Sequence, residues 1–309
     1  MINYHPVIKM NKKLQCSLLL ILATVIWGTT FVAQSVGMSH IGPFTFQAVR
    51  CALGGIGLLP VIAIADRNKR DDQTFFSRWA DKKLWTGGLL CSIPLFLACN
   101  LQQLGIVDTD AGKSAFLTAM YIIFVPIIGI LRKKLPSPLI PVSLVLAVFG
   151  LYCLCGTGIS GIVLPDLLLL GCALAFAVQI TVVDIFAPQT DPLRLNAIQS
   201  VLCAVFSAVV MFAAEAPEWT QLIDCWLPLC YAGFLSMGVA YSLQIVGQKH
   251  LEPSSASLIM SLESVFAVLS GCLILGESMT IWEITGCILI FIAVILSQLP
   301  VKMKSKSRG

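Results

Sequence analysis

Hydrophobic positions in this chain come in long, nearly unbroken runs of about twenty residues, without the strict alternation of a half-buried strand. Ten windows fit that pattern, approximately 14–35, 44–65, 84–105, 113–131, 138–156, 164–186, 195–214, 227–247, 254–275 and 281–299. A helix needs about 20 mostly apolar residues to cross a ~30 Å hydrocarbon core, so each window predicts a membrane-spanning helix. Connections are short except for 66–83 and 214–226, which leaves no room for a soluble domain. The first run has a basic start like a signal peptide, but it lacks an A-x-A site and is long enough to be retained as a span.

Composition agrees with the pattern. Of the 309 residues, 57% are hydrophobic and 12% charged, about half the ~25% charged share of soluble domains. The net charge of +4 matters less than its placement. With the N-terminus in the cytoplasm, 18 of the 20 Lys and Arg residues fall on cytoplasmic segments. The exceptions are Lys113 in an outer loop and Arg50 inside the second span. This asymmetry predicts ten spans with both termini inside. The twelve cysteines lie mostly in apolar runs with no paired CxxC spacing, and are expected to act as small hydrophobes.

The chain also resembles itself. "WGTTFVAQSVGMSHIGPFTFQ" from Trp27 overlays "FAVQITVVDIFAPQTDPLRLN" from Phe176 at an offset of 149. "NLQQLG" from Asn100 overlays "YSLQIV" from Tyr241 at an offset of 141, which also pairs "AFLTAMYIIFVPIIG" with "ASLIMSLESVFAVLS". The expected fold is therefore all-α and polytopic, with ten transmembrane helices in two halves, 1–156 and 157–309. Five spans per half is odd, so the second half enters the membrane from the opposite side. Such inverted repeats place a substrate site at their interface near mid-bilayer.

Polar residues inside the spans are the candidate chemistry. Glu263 is the tenth residue of its window, about 15 Å from the span end and near mid-membrane. A charge there costs at least ~2.5 kcal/mol, and no Lys or Arg sits at comparable depth. The acid must be protonated, hydrated in a cavity or hydrogen-bonded. Its helix carries a stripe of Ser257, Ser261, Ser264 and Gly271, suited to close packing. The Glu263 face carries Ala256, Met260, Ala267 and Ser270, small enough to leave space beside the carboxyl. A cavity-lining group open to proton coupling and a neutral acid tying two helices are the alternatives.

Asn100 and Gln103 share one face of the third span, and Tyr241 and Gln244 one face of the eighth. They are expected to line the outer and inner halves of one passage, or to bond neighbouring helices. Trp27, mid-way along the first span, is the aromatic candidate for the cavity, with a packed, hydrogen-bonded Trp as the alternative. Tyr121 and Gln179 join Ala267 and Glu263 in the candidate cavity set. Arg50 lies about 10 Å into the second span. It is expected to snorkel to the outer interface and pair with Asp108 or Asp110, with a substrate-carboxylate contact as the alternative. Asp184 and Glu283 are expected at the interfaces.

These motifs, "WGTTFV", Arg50, "AGKSAFLTAMYIIFVPIIG", "ASLIMSLESVFAVLSGCLILGE" and "WEITGCILIFIAVI", make the chain resemble EamA-type transporters of the drug/metabolite transporter superfamily. The resemblance covers nearly everything from Leu14 to Gln298. It implies a bacterial inner-membrane carrier, most often an exporter of amino acids or related metabolites, with a central cavity. Members usually carry Pro directly after the acid, where this chain has Ser264, a departure that predicts a straighter ninth helix.

Other functions fit less well. Three histidines outside span centres, with no HExxH or GxSxG, argue against an enzyme. One acid in one chain does not make a channel's ring of like charges. A passive facilitator or a lipid flippase of the same fold stays open. No cofactor or metal is expected. Expected partners are a small-molecule substrate and the bilayer, with a homodimer as an option and no nucleic acid.

Overall fold

The structure is a computed structural model and describes residues 11–67, 69, 74–109, 111–155, 163–276 and 279–299. Outside that set lie Asp110, Glu277 of the quoted ninth-span motif, and several of the counted cytoplasmic cations, Lys9, Arg70, Lys302, Lys304, Lys306 and Arg308.

Each apolar window becomes helix, and the described residues contain no strand. The first half holds α1 (Lys12–Met38), α2 (Pro43–Arg67), α3 (Lys82–Val107), α4 (Ala111–Thr118), α5 (Tyr121–Leu131) and α6 (Ile140–Cys155). The second holds α7 (Leu164–Phe186), α8 (Pro192–Ala214), the short α9 (Trp219–Asp224), α10 (Trp226–Cys230), α11 (Tyr241–Gln248), α12 (Pro253–Met260), α13 (Leu262–Ser270) and α14 (Ile281–Gln298). Between α10 and α11 the chain winds as a wider π-helix over Tyr231–Ala240. Among the described residues nine stretches are long and apolar enough to cross a membrane, α4–α5, α10–α11 and α12–α13 each counting as one. The remaining window, 138–156, gives α6, which at 16 residues is shorter than the 19 predicted.

Local chemistry sets the helix ends. The side chains of Asn11, Asp81 and Asp191 accept backbone N–H bonds at the starts of α1, α3 and α8. Thr280 and Glu283 form a reciprocal cap on α14, so Glu283 serves as a capping residue. Gly276 closes the ninth span in the left-handed region, at φ 71°.

Two spans break at matching places. α4 gives way to α5 at Ala119–Met120, where Ile122 N–H donates to the Ala119 carbonyl only three residues back (3.1 Å). α12 gives way to α13 at Ser261, where Ser264 N–H donates to the Ser261 carbonyl (3.2 Å). Met120 and Ser261 are 141 positions apart, the offset of the internal match. The ninth span is therefore not straight, although Ser264 replaces the family's proline. A physical reason is at hand: the Ser257 and Ser261 hydroxyls donate to carbonyls three residues back, Ser254 O (2.9 Å) and Leu258 O (2.7 Å). Such bonds compete with the helix ladder and bend it.

Packing pairs the helices. α2 lies along α8 and α6 along α14. α3 packs on α7, and α1 on the π-helical segment and α11. The broken spans meet half to half, α4 on α13 and α5 on α12. The α1–α13 contact is backbone to backbone: a Cβ on Gly28 would lie 2.5 Å from Phe266 Cβ and 2.7 Å from the Ala267 nitrogen. Gly28→Ala is therefore expected to cost about 1–3 kcal/mol by overpacking and to lower the thermal midpoint in detergent. Gly112→Ala, where the added Cβ meets nothing within 4 Å, is expected to leave it unchanged.

Candidate functional site

Trp27, Thr30 and Gln34 recur at helical spacing, so α1 presents them on one face. That face borders a cavity lined from both halves of the chain. α2 adds Arg50, α3 Gln102, α5 Tyr121, and α7 Phe176 and Gln179; the eighth span adds Ser236, Tyr241 and Gln244, and the broken ninth Met260 and Glu263. The space open to water centres is about 40 Å³, room for about three waters. A metabolite can occupy it only if the lining moves.

Aromatic rings frame the cavity. Tyr241 meets Trp27 edge-on at 5.1 Å between centroids, and Phe176 meets Tyr121 at 6.5 Å. Several polar atoms in this wall are buried without a hydrogen-bond partner among the described residues: Trp27 Nε1, Tyr121 Oη, Gln244 Oε1 and Glu263 Oε1. Buried polar groups are normally paired, so this concentration of unpaired donors and acceptors marks a place for a polar ligand or water. Glu263 is 6% exposed, with the Tyr121 hydroxyl beside its carboxyl.

Arg50 is the basic side chain that, with the acid Glu263, lines the cavity deep in the spans. It is 3% exposed and does not reach the outer interface, so the expected snorkelling and the ion pair with Asp108 do not occur. Its Nε donates to Gln47 Oε1 at 2.6 Å and its Nη1 donates to Gln34 Oε1. Gln34 and Gln47 catch the guanidinium from α1 and from one turn back on α2, which explains its inward course. Both acceptors are neutral amides, so the positive charge is not compensated by an ion pair among the described residues.

A relay of amides runs away from the cavity. Gln244 Nε2 donates to Gln179 Oε1 (3.1 Å) and Gln248 Oε1 (3.0 Å), and Gln248 Nε2 donates to the Ile180 carbonyl. Asn196 of α8 holds the π-helical segment, donating to the carbonyls of Met237 and Gly238 at 2.9 Å each.

Three candidates from sequence fall elsewhere. Asn100 Nδ2 donates to the Phe96 carbonyl and to Ser207 Oγ at 2.9 Å, tying α3 to α8. Gln103 Nε2 lies 3.3 Å from Met38 Sδ at the end of α1. The face of α3 that meets the cavity is Gln102's, about 100° round the helix from Gln103. Ala267 packs against Gly28 in the α1–α13 seam and Ser270 donates to the Gly28 carbonyl (3.3 Å), so α1 fills the space expected beside Glu263 there. Ser264 donates to the Ala115 carbonyl across to α4 (3.0 Å), in keeping with a packing stripe. Asp184 pairs with Lys134 at 3.1 Å. Gln34, Gln102, Thr30 and Ser236 were not anticipated. Gln34 had a signal, since it lies two turns from Trp27 on the same helix face.

Comparison with known proteins agrees with this architecture. The chain matches the model of the EamA-like transporter family twice, over residues 14–156 and 163–299. It is 32% identical to an uncharacterized transporter of Archaeoglobus fulgidus over 94% of this chain and 88% of that protein. It is 28% identical to the uncharacterized transporter YoaV of Bacillus subtilis over 88% of this chain and 92% of that one. A crystal structure with 15% identity superposes at a TM-score of 0.75, covering 92% of this chain and 97% of its own, a likeness of fold alone.

Proposed function

The chain belongs to the EamA-like transporter family, a multi-pass membrane transporter and not an enzyme, and on that premise we propose that it moves small zwitterionic metabolites, amino acids or close relatives, by alternating access through this cavity. The carrying observation is a buried guanidinium that meets neutral amides and the Phe46 ring but no carboxylate among the described residues, in the same cavity as a carboxyl whose Oε1 has no hydrogen-bond partner among them. Arg50 would take the substrate carboxylate and Glu263 the ammonium, each neutralising a charge that is costly to bury alone. Trp27 and Tyr121 would supply the donors. Glu263, released from the ammonium, can take a proton, which makes exchange of substrate for proton a natural cycle.

Ten spans in two inverted halves suit this mechanism. The family model matches each half separately, and helix contacts follow the symmetry: α3 on α7 is echoed by α1 on the eighth span. The breaks beside Tyr121 and Glu263 provide discontinuous helices at the repeat interface. The Lys and Arg distribution supports cytoplasmic termini, and the family resemblance suggests the inner membrane as location and export as direction. A lipid flippase is disfavoured by the small cavity and by the Arg50, Glu263 and glutamine side chains that line it.

Counterflow of radiolabelled amino acids in proteoliposomes tests the reading. Zwitterions are expected to compete, while the corresponding amines and carboxylic acids need at least about tenfold more, the discrimination of one lost charged contact. Equal competition by all three classes would contradict it.

A further inference from the structure

The ends of the α2–α8 pair are held by two clamps that mirror one another. The 149-residue offset pairs Gly42 with Asp191, Thr45 with Arg194, and Asp66 with Glu215. Asp66 and Glu215 each sit at the C-terminal end of their own helix and reach the first turn of the other.

At one end Glu215 accepts hydrogen bonds from the backbone N–H groups of Phe44 (2.9 Å) and Thr45 (2.8 Å), and from the Thr45 hydroxyl. First-turn N–H groups have no partner within their helix, and the helix dipole favours an anion there. Gly42 makes room for this seat, because a Cβ at that position would lie 2.4 Å from Glu215 Cδ.

At the other end Arg194 donates to Asp66, and its Nη1 lies 3.2 Å from Asp191 Oδ2. Lys69 bridges both acids, 3.3 Å from Asp66 and 3.0 Å from Asp191. The guanidinium lies 5.4 Å from the Trp79 ring and 6.0 Å from that of Phe75, within cation–π range. Burial pushes the Asp191 carboxyl up, but the Lys69 and Arg194 contacts outweigh it and hold the group below its ordinary range.

One end is thus a carboxylate seated on backbone amides, the other a charge network around the buried Arg194, with Lys69 and Asp191 partly exposed. α2 runs between them and carries Arg50 to the cavity. α8 backs the cavity wall, where its Gln199 Oε1 accepts from the lining Gln179 Nε2 (3.4 Å), so parting α2 from α8 at one end while the other holds is a movement that would open the cavity to one side only. We propose that the two clamps are the alternating latches of the transport cycle: the Glu215 seat closes the face at the α2 N-terminus, the Asp66–Arg194 network closes the opposite face, and one opens while the other stays shut. This goes beyond the substrate assignment and rests on alternating access through the cavity.

The test uses Ser236→Cys, a cavity-wall reporter, labelled with a membrane-impermeant maleimide applied to either face of sealed vesicles. The chain without the reporter, treated alike, gives the background from native cysteines. Glu215→Gln is expected to raise labelling several-fold from the α2 N-terminal face and to lower it from the other. Gly42→Ala, which dislodges Glu215 without altering the acid, should do the same. Asp66→Asn is expected to do the reverse, and Asp191→Asn should follow it more weakly. A merely structural role predicts equal rises from both faces in all variants. Equal rises, or unchanged sidedness, would overturn the latches. Counterflow by the unmodified chain, measured in parallel, separates this failure from failure of the transport reading itself.

Discussion

Glu263→Gln is expected to flatten the pH dependence of transport and to reduce the rate at neutral pH by at least about tenfold. Glutamine keeps the size and hydrogen-bonding reach of the acid but neither ionises nor carries a proton. If the carboxylate receives a substrate ammonium, the substitution removes a charged hydrogen bond with a net value of about 1.5–3 kcal/mol. That is roughly 10–150-fold in affinity. The protein should remain folded, since Glu263 Oε1 has no hydrogen-bond partner among the described residues, glutamine can still meet the Tyr121 hydroxyl, and a neutral amide is easier to bury than an acid that must ionise. A purely structural Glu263 predicts the opposite pattern: altered stability with an unchanged pH profile. Transport by reconstituted protein from pH 5.5 to 8, beside thermal unfolding, distinguishes the two.

Arg50→Gln is expected to weaken carboxylate substrates by about 100-fold, the ~3 kcal/mol scale of a broken buried charge contact. Substrates whose carboxylate is replaced by an amide should lose little. Arg50→Lys should recover part of the affinity, because an ammonium keeps the charge but cannot present the planar fork that Gln34 and Gln47 hold. Thermal stability should not fall sharply in Arg50→Gln, since the variant removes a buried charge that has no ionic partner among the described residues. An arginine serving only to anchor the outer interface would instead give uniform, small effects on all substrates. Binding isotherms for matched acid and amide pairs provide the check.

Much of this architecture was legible from sequence because a membrane simplifies the code. Spans are read from length and apolarity alone, so the predicted 84–105 and 195–214 became α3 and α8 nearly intact. The internal match pairs Trp27 with Phe176, and both residues line the cavity. The site was legible only where one residue was too costly to be incidental, as with Glu263. Arg50 was assigned the wrong course because its restraints, Gln34 and Gln47, come from a neighbouring helix and from its own preceding turn. Nothing in the spacing of a single span shows which rotamer such partners select.

Asn100 and Gln103 show a second limit. Shared spacing places them on one face of α3 but does not say which neighbour that face meets, and the fold gives the cavity to Gln102. The break at Ser261 shows a third. Its cause lies in serine hydroxyls bonding back to their own helix, so the missing proline misled.

The most direct test crosses one change in the protein with one in the ligand. Binding of an amino acid substrate and of its amide is measured on the unmodified chain and on Arg50→Gln. If Arg50 reads the substrate carboxylate in this cavity, the two losses overlap, and the cycle returns a coupling of about 1.5–3 kcal/mol. Strictly additive losses, with coupling near zero, would mean that the carboxylate is bound elsewhere and would contradict the account.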